Sequence, residues 1–206
     1  MLQTHFRRWE PIVMARVAAS QPSMQHVRFT TGITARSELF DWPFPAGYVV
    51  RSSGAQKIKR SLEHPNETAE EKTARKEANQ LTQAIGGRLL AKGYNWLIYP
   101  EGNSMQIVEE NGKKVRIPRE PGVMLPLYDG FVYSLENMTD EERRRVKMLG
   151  IAVHYGEGAL SHFNPTVHIG MPVSPEGTRE DWFHQGEEIL SHGISEAVRL
   201  HELRTG

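Results

Sequence analysis

Two periods of apolar residues alternate along this chain, and the changes of period mark its elements. From Asn66 to Lys92 the spacing predicts a long helix: apolar residues recur at Leu81, Ile85, Leu89 and Leu90 behind an opening Asn66-Glu67-Thr68. Gly93 fits a C-terminal cap, and Gly86-Gly87 weakens the helix locally. Asn95 to Tyr99, Gly47-Tyr48-Val49-Val50-Arg51 and Val27-Arg28-Phe29-Thr30 read as strands, as do Val146 to Tyr155 and Thr166 to Val173. Pro11 to Ala19 and Thr34 to Phe40 read as short helices, and Arg179 to Leu203 as a terminal one. Phe40-Asp41-Trp42-Pro43-Phe44-Pro45 is a proline-broken loop, and Glu109 to Arg116 a polar excursion turning at Asn111-Gly112.

Strand, helix and strand in that order predict parallel neighbours in a sheet. The expectation is an α/β fold: one domain over residues 1–206, with a mixed, mostly parallel sheet flanked by helices. A length of 206 residues is enough for one such core, and neither internal repeats nor a linker divide it.

Composition adds limits. Hydrophobic residues make up 38% and charged residues 24%, which is ordinary for a globular chain and excludes a disordered one. The formal net charge is +0, yet residues 1–60 hold nine Lys/Arg against three Asp/Glu, while residues 61–206 hold sixteen against twenty-two. A basic N-terminal portion suits a phosphate-bearing ligand or an anionic membrane surface; a chance imbalance of surface charge is the plainer alternative. With no cysteine, disulfides, thiol nucleophiles and Cys-ligated metals are excluded. No stretch approaches the ~20 apolar residues of a membrane span, and no signal peptide of the usual form opens the chain. A cytoplasmic protein, with surface attachment to a membrane open to it, is expected.

Candidate chemistry gathers at three places. In Leu97-Ile98-Tyr99-Pro100-Glu101-Gly102-Asn103-Ser104 an apolar strand is cut by Pro and followed at once by a carboxylate and a Gly. A sheet delivers polar groups in this way to a site at the carboxyl ends of its strands. The Gly lets backbone amides approach a ligand closely, and the Glu can accept hydrogen bonds from substrate hydroxyls; a strand-end turn with a solvated Glu is the plainer alternative. In His5-Phe6-Arg7-Arg8-Trp9-Glu10 a histidine precedes a carboxylate by five residues. On a continuous helix that is about 500° of rotation, so the two meet only across a loop or turn, which Pro11 favours. A carboxylate there holds one imidazole nitrogen and leaves the other as a general base. With nine histidines in the chain, a chance pairing is the alternative. Arg51, followed by Ser52, Ser53 and Gly54, is a phosphate contact or an ordinary surface arginine.

In order, these three resemble the glycerolipid acyltransferase family, which includes the lysophosphatidate (1-acylglycerol-3-phosphate) acyltransferases. Its hallmark is His-x4-Asp, then Gly-x-x-apolar-x-Arg, then (Phe/Tyr)-Pro-Glu-Gly-x-x-Ser. Here stand His5 and Glu10, then Gly47 to Arg51, then Tyr99 to Ser104. Further similar stretches are Val27 to Phe29 with Ala35 to Phe40, Pro118-Arg119-Glu120-Pro121-Gly122-Val123, and Asn164 to Val173. The resemblance covers roughly residues 4–175. It departs at Glu10, which stands for Asp, in a third motif one residue short and without the usual Arg near Asn103, and at Gly150, where the fourth motif carries Pro. Only four residues precede His5, where the family has a strand.

The resemblance implies a glycerolphosphate acyltransferase-like fold and transfer of a fatty-acyl group from a thioester to the hydroxyl of a lysophospholipid or glycerol phosphate. His5 would be the general base and Glu10 its orienting acid. Glu101, Gly102, Asn103 and Ser104 would shape the acceptor site, and Arg51 would hold its phosphate, helped by Arg116 or Arg119. It implies no bound cofactor: acyl-CoA or acyl carrier protein is a co-substrate. The partners are that donor, the lysophospholipid acceptor and a membrane surface met peripherally, with no nucleic acid. Phe6, Trp9, Phe40, Trp42 and Phe44 form either an apolar interfacial face or core. A non-catalytic lipid- or phosphate-binding relative that retains the fold is the competing reading, and a thioester hydrolase a third.

Two features take structural readings. Pro175-Glu176-Gly177-Thr178-Arg179 repeats the letters of the third motif, but it follows the last strand and opens a helix with Thr178 as N-cap. His154 and His168 read as half-buried strand residues, and His184, His192 and His201 as helix residues whose spacing presents no metal triad, so no metal site is expected.

Overall fold

The computed structural model describes residues 2–3, 31–36, 41, 48, 55–59, 67–101, 105–110, 112–120, 122–156 and 165–205. It mixes helix and strand. Strands β1 (Leu2–Gln3), β2 (Thr31–Arg36) and β3 (Gln56–Ile58) precede helix α1 (Ala69–Ala91). Next come β4 (Asn95–Leu97), the β5 (Met105–Glu110) and β6 (Lys113–Pro118) hairpin, and helices α2 (Gly130–Glu136) and α3 (Asp140–Arg145). Strands β7 (Gly150–His154) and β8 (Thr166–Ile169) lead to the terminal helix α4 (Arg179–Thr205).

Among the described residues, β2 lies between β3 and β4 and runs parallel to both, with Thr34 opposite Gln56 and Thr31 opposite Asn95. The crossover from β3 through α1 to β4 therefore joins parallel strands, but these are not neighbours, since β2 lies between them. β1 runs parallel to β7, and β7 antiparallel to β8 with Ala152 opposite His168. Among the described residues the hairpin pairs only with itself, turning through Gly112 at φ 72°.

α1 starts at a reciprocal cap: the Glu71 amide donates to Thr68 Oγ1 (3.2 Å) and the Thr68 amide to Glu71 Oε2 (2.8 Å). It ends in a Schellman turn. Gly93, at φ 84°, donates to the Leu90 carbonyl (2.9 Å) and Tyr94 to that of Leu89 (3.0 Å). The Gly86-Gly87 pair has a packing reason. A Cβ on Gly86 would stand 2.5 Å from the Trp96 ring, and one on Gly87 would overlap the Ser134 carbonyl oxygen. The missing side chains let α1 lie directly against β4 and α2.

The core joins distant parts of the chain. Trp96 and Ile98 from the β4 segment meet Phe131, Val132 and Leu135 of α2, Met148 ahead of β7, and Trp182 and Leu190 of α4. α4 crosses β7 where residues are small. Gly150 leaves room for Ile189, and Gly193 lies 3.4 Å from the Ala152 side chain, as measured from the Cβ it lacks.

Several expectations change. Thr34 to Arg36, read as the start of a helix, belong to β2: β-branched Thr31, Ile33 and Thr34 suit a strand, and pairing on both edges outweighs a weak local helical pattern. Tyr48, expected in a strand, is helical and exposed. β1, β3, the two hairpin strands β5 and β6, α2 and α3 appear where no element was expected. α3 carries a legible signal, the capping box Thr139-x-x-Glu142. The helix expected over Pro11–Ala19 and the strand over Val27–Thr30 lie outside the described residues, as do Phe6, Trp9, Phe40, Trp42 and Phe44. Among the described residues, no helix is long and apolar enough to cross a membrane.

Candidate functional site

β4 ends where Tyr99 and Pro100 interrupt it, since proline brings no N–H to a ladder. Glu101 follows in a turn with 1% of its surface exposed. Its two carboxylate oxygens are bonded within the fold. Oε2 accepts from Arg119 Nη1 at 2.7 Å, and Oε1 accepts from the Leu125 amide at 2.9 Å. Arg119 Nε in turn donates to the Val123 carbonyl. One step earlier the Pro100 carbonyl accepts from the Tyr128 amide at 2.7 Å. The end of β4 is thus stitched to residues 119–128, which turn at Gly122 (φ 79°).

The ion pair is closed to solvent, with Arg119 and Glu101 side chains exposed by only 1% and 0%. Removing one partner of such a pair strands a buried charge and costs about 3–5 kcal/mol. Glu101 was expected to meet substrate hydroxyls; here it faces inward and holds a loop. Arg119, expected as a helper in phosphate binding, is also turned inward. The Arg116 side chain lies outside what the structure describes.

His5, Glu10, Arg51, Gly102, Asn103 and Ser104 lie outside the described residues. The described strands end close to two of these places. β1 stops at Gln3, two residues before His5, so a short strand stands ahead of the histidine; Glu101 leads directly into Gly102. Neither the two-residue length of β1 nor its partner β7 carries a signal in the local sequence.

The motif-like Pro175 to Arg179 segment is a helix start. The Thr178 amide donates to Asp181 Oδ2 (2.7 Å) and the Asp181 amide to Thr178 Oγ1 (3.4 Å), while Gly177 takes φ 80°. Capping holds the Asp181 carboxyl below its ordinary value. Arg179 pairs with Asp129 (2.7 Å) and Glu136 (3.2 Å) and lies over the Tyr133 ring. A groove of about 280 Å³ runs beside this helix start, lined by Arg143, Arg144 and Trp182 among others, and shares no residue with the β4 turn.

Four histidines meet at the seam between α4 and the β7–β8 pair. His154 and His201 have ring centroids 4.7 Å apart, and Thr166 Oγ1 lies 3.1 Å from His201 Nδ1. His168 and His192 are 6.0 Å apart. Burial lowers the His154 pKa, and His201 adds to the effect against an opposing Glu202. Burial also lowers that of His168, where Glu196 opposes and His192 and Arg199 add. Both strand histidines are therefore neutral packing groups. Among the described residues, no group of three or more His, Asp or Glu side chains is placed to hold a metal ion.

No protein-family model and no curated protein matches this chain.

Proposed function

We propose that this protein transfers a fatty-acyl group from acyl-CoA or acyl carrier protein to the hydroxyl of a lysophospholipid or glycerol phosphate, on a glycerolphosphate acyltransferase-like fold. The observation that carries the reading is the ordered run of His5 and Glu10, Gly47 to Arg51, and Tyr99 to Ser104, the last starting as β4 ends. Parallel pairing of β4 with β2, and of β1 with β7, supports it, because ligands of open α/β sheets bind beyond the carboxyl ends of parallel strands.

In this mechanism His5 takes the acceptor hydroxyl proton while Glu10 holds the other imidazole nitrogen. The acceptor oxygen attacks the thioester carbonyl, the C–S bond breaks as the ester C–O bond forms, and the thiol departs with a proton. Arg51 holds the acceptor phosphate, and Gly102, Asn103 and Ser104 shape the acceptor site. The amphiphilic substrates are met at a cytoplasmic membrane surface.

The test is thiol release from acyl-CoA by the purified protein, with and without lysophosphatidate, alongside the His5→Ala variant. Acceptor-dependent release that falls by about 10²–10⁴-fold in the variant is expected. Unchanged release in the variant excludes His5 as the base. Lysophosphatidate binding without transfer supports the non-catalytic reading, and free fatty acid as product the hydrolase.

A further inference from the structure

We infer that Arg119 is a positioning residue for the acyl transfer proposed above, acting through Glu101; the inference rests on that reading. The carboxylate of the Pro-Glu-Gly turn then serves by fixing the backbone from which the acceptor site departs, with no contact to the acceptor.

Three observations carry this. The pair is fully buried, and its second anchors, the Leu125 amide for Glu101 and the Val123 carbonyl for Arg119, are backbone groups of one segment. The partners are eighteen residues apart, and the β5–β6 hairpin fills most of the interval. The hairpin joins no other strand among the described residues, and its first pairing, Met105 with Pro118, stands next to Arg119. The ion pair therefore closes the root of the hairpin. Gly102, Asn103 and Ser104 are the three residues between Glu101 and the first residue of β5. The same guanidinium binds Glu101, the residue before that run, and follows the strand whose Pro118 pairs with Met105, the residue after it. A displacement of about 1 Å at such a place costs on the order of 10²-fold in rate.

The test compares Glu101→Gln, Arg119→Met, Arg119→Lys and the charge-free double variant Glu101→Gln/Arg119→Met. Circular dichroism and melting curves are taken for each. The double variant leaves no charge buried without a partner, so it keeps the comparison open where a single variant does not fold. The expected result is a double variant that folds, with kcat lower by about 10²-fold and acceptor KM within about threefold of wild type. The double variant is expected to be no slower than the worse single variant, because the two side chains act as one unit. Arg119→Lys, which keeps the charge facing Glu101, should recover part of the turnover.

A folded double variant with wild-type kcat overturns the inference. So does a Glu101→Gln variant whose acceptor KM rises tenfold while Arg119→Met leaves it unchanged, since Glu101 would then touch the acceptor. Wild-type protein that transfers no acyl group from either donor is a separate result, which removes the acyl-transfer reading itself.

Discussion

Single side chains, and single missing ones, decide much of this molecule. Gly86 and Gly87 sit in the last third of α1, where alanine would be the better helix former by about 1 kcal/mol. Their contacts reverse that preference. A methyl group on Gly87 meets the Ser134 carbonyl, which is backbone in α2 and has little freedom to yield. Gly87→Ala should therefore lose about 1–3 kcal/mol in urea unfolding despite its higher helix propensity. A variant as stable as wild type would show that α1 and α2 do not meet closely at Ser134. Glu101 teaches a related lesson about chemistry. Its place after Tyr99-Pro100 is plain in the sequence, but its inward direction is not, because the partner that turns it lies beyond a hairpin.

At the scale of elements, the seam between α4 and the β7–β8 pair ties stability to pH. The folded pKa values of His154 and His168 lie below the unfolded value of about 6.5, chiefly because burial disfavours the charged ring. The folded state then binds fewer protons than the unfolded chain. The stability linked to these two groups is fully present above about pH 6.5 and is lost as pH falls through that value towards the lowered folded ones. Melting should occur at a lower temperature at pH 5.5 than at pH 7.5, and a His154→Asn/His168→Asn variant should show a smaller difference between the two. Equal wild-type melting temperatures would contradict the burial of these rings. Element type was readable where a pattern was long and capped, as in α1 and α4, while of the hairpin only the turn at Asn111-Gly112 was read and its two strands were not. It was misread at Thr34 to Arg36 and missed at β3, because strands of three to six residues draw their stability from neighbours that a local window does not contain.

At the scale of the whole molecule, residues far apart in sequence share one core. Trp96 follows α1, Trp182 opens α4, and both belong to the same buried cluster as Val132 and Leu190. One cooperative transition is the expected consequence, with tryptophan fluorescence and far-ultraviolet circular dichroism changing together in urea. Trp96→Ala should lower the midpoint through a loss of about 3–5 kcal/mol. Two separated midpoints would show that the β4 region and α4 unfold independently. The sequence by itself determined the long helices, their caps and the order of the three motifs, because propensity, capping and chain order are local or linear properties. Tertiary structure alone decided that Glu101 turns inward to Arg119, that glycines mark helix crossings, and that four histidines face one another across a seam. Those outcomes depend on which distant groups arrive at a side chain, and burial then selects the partner, the direction and the charge it keeps.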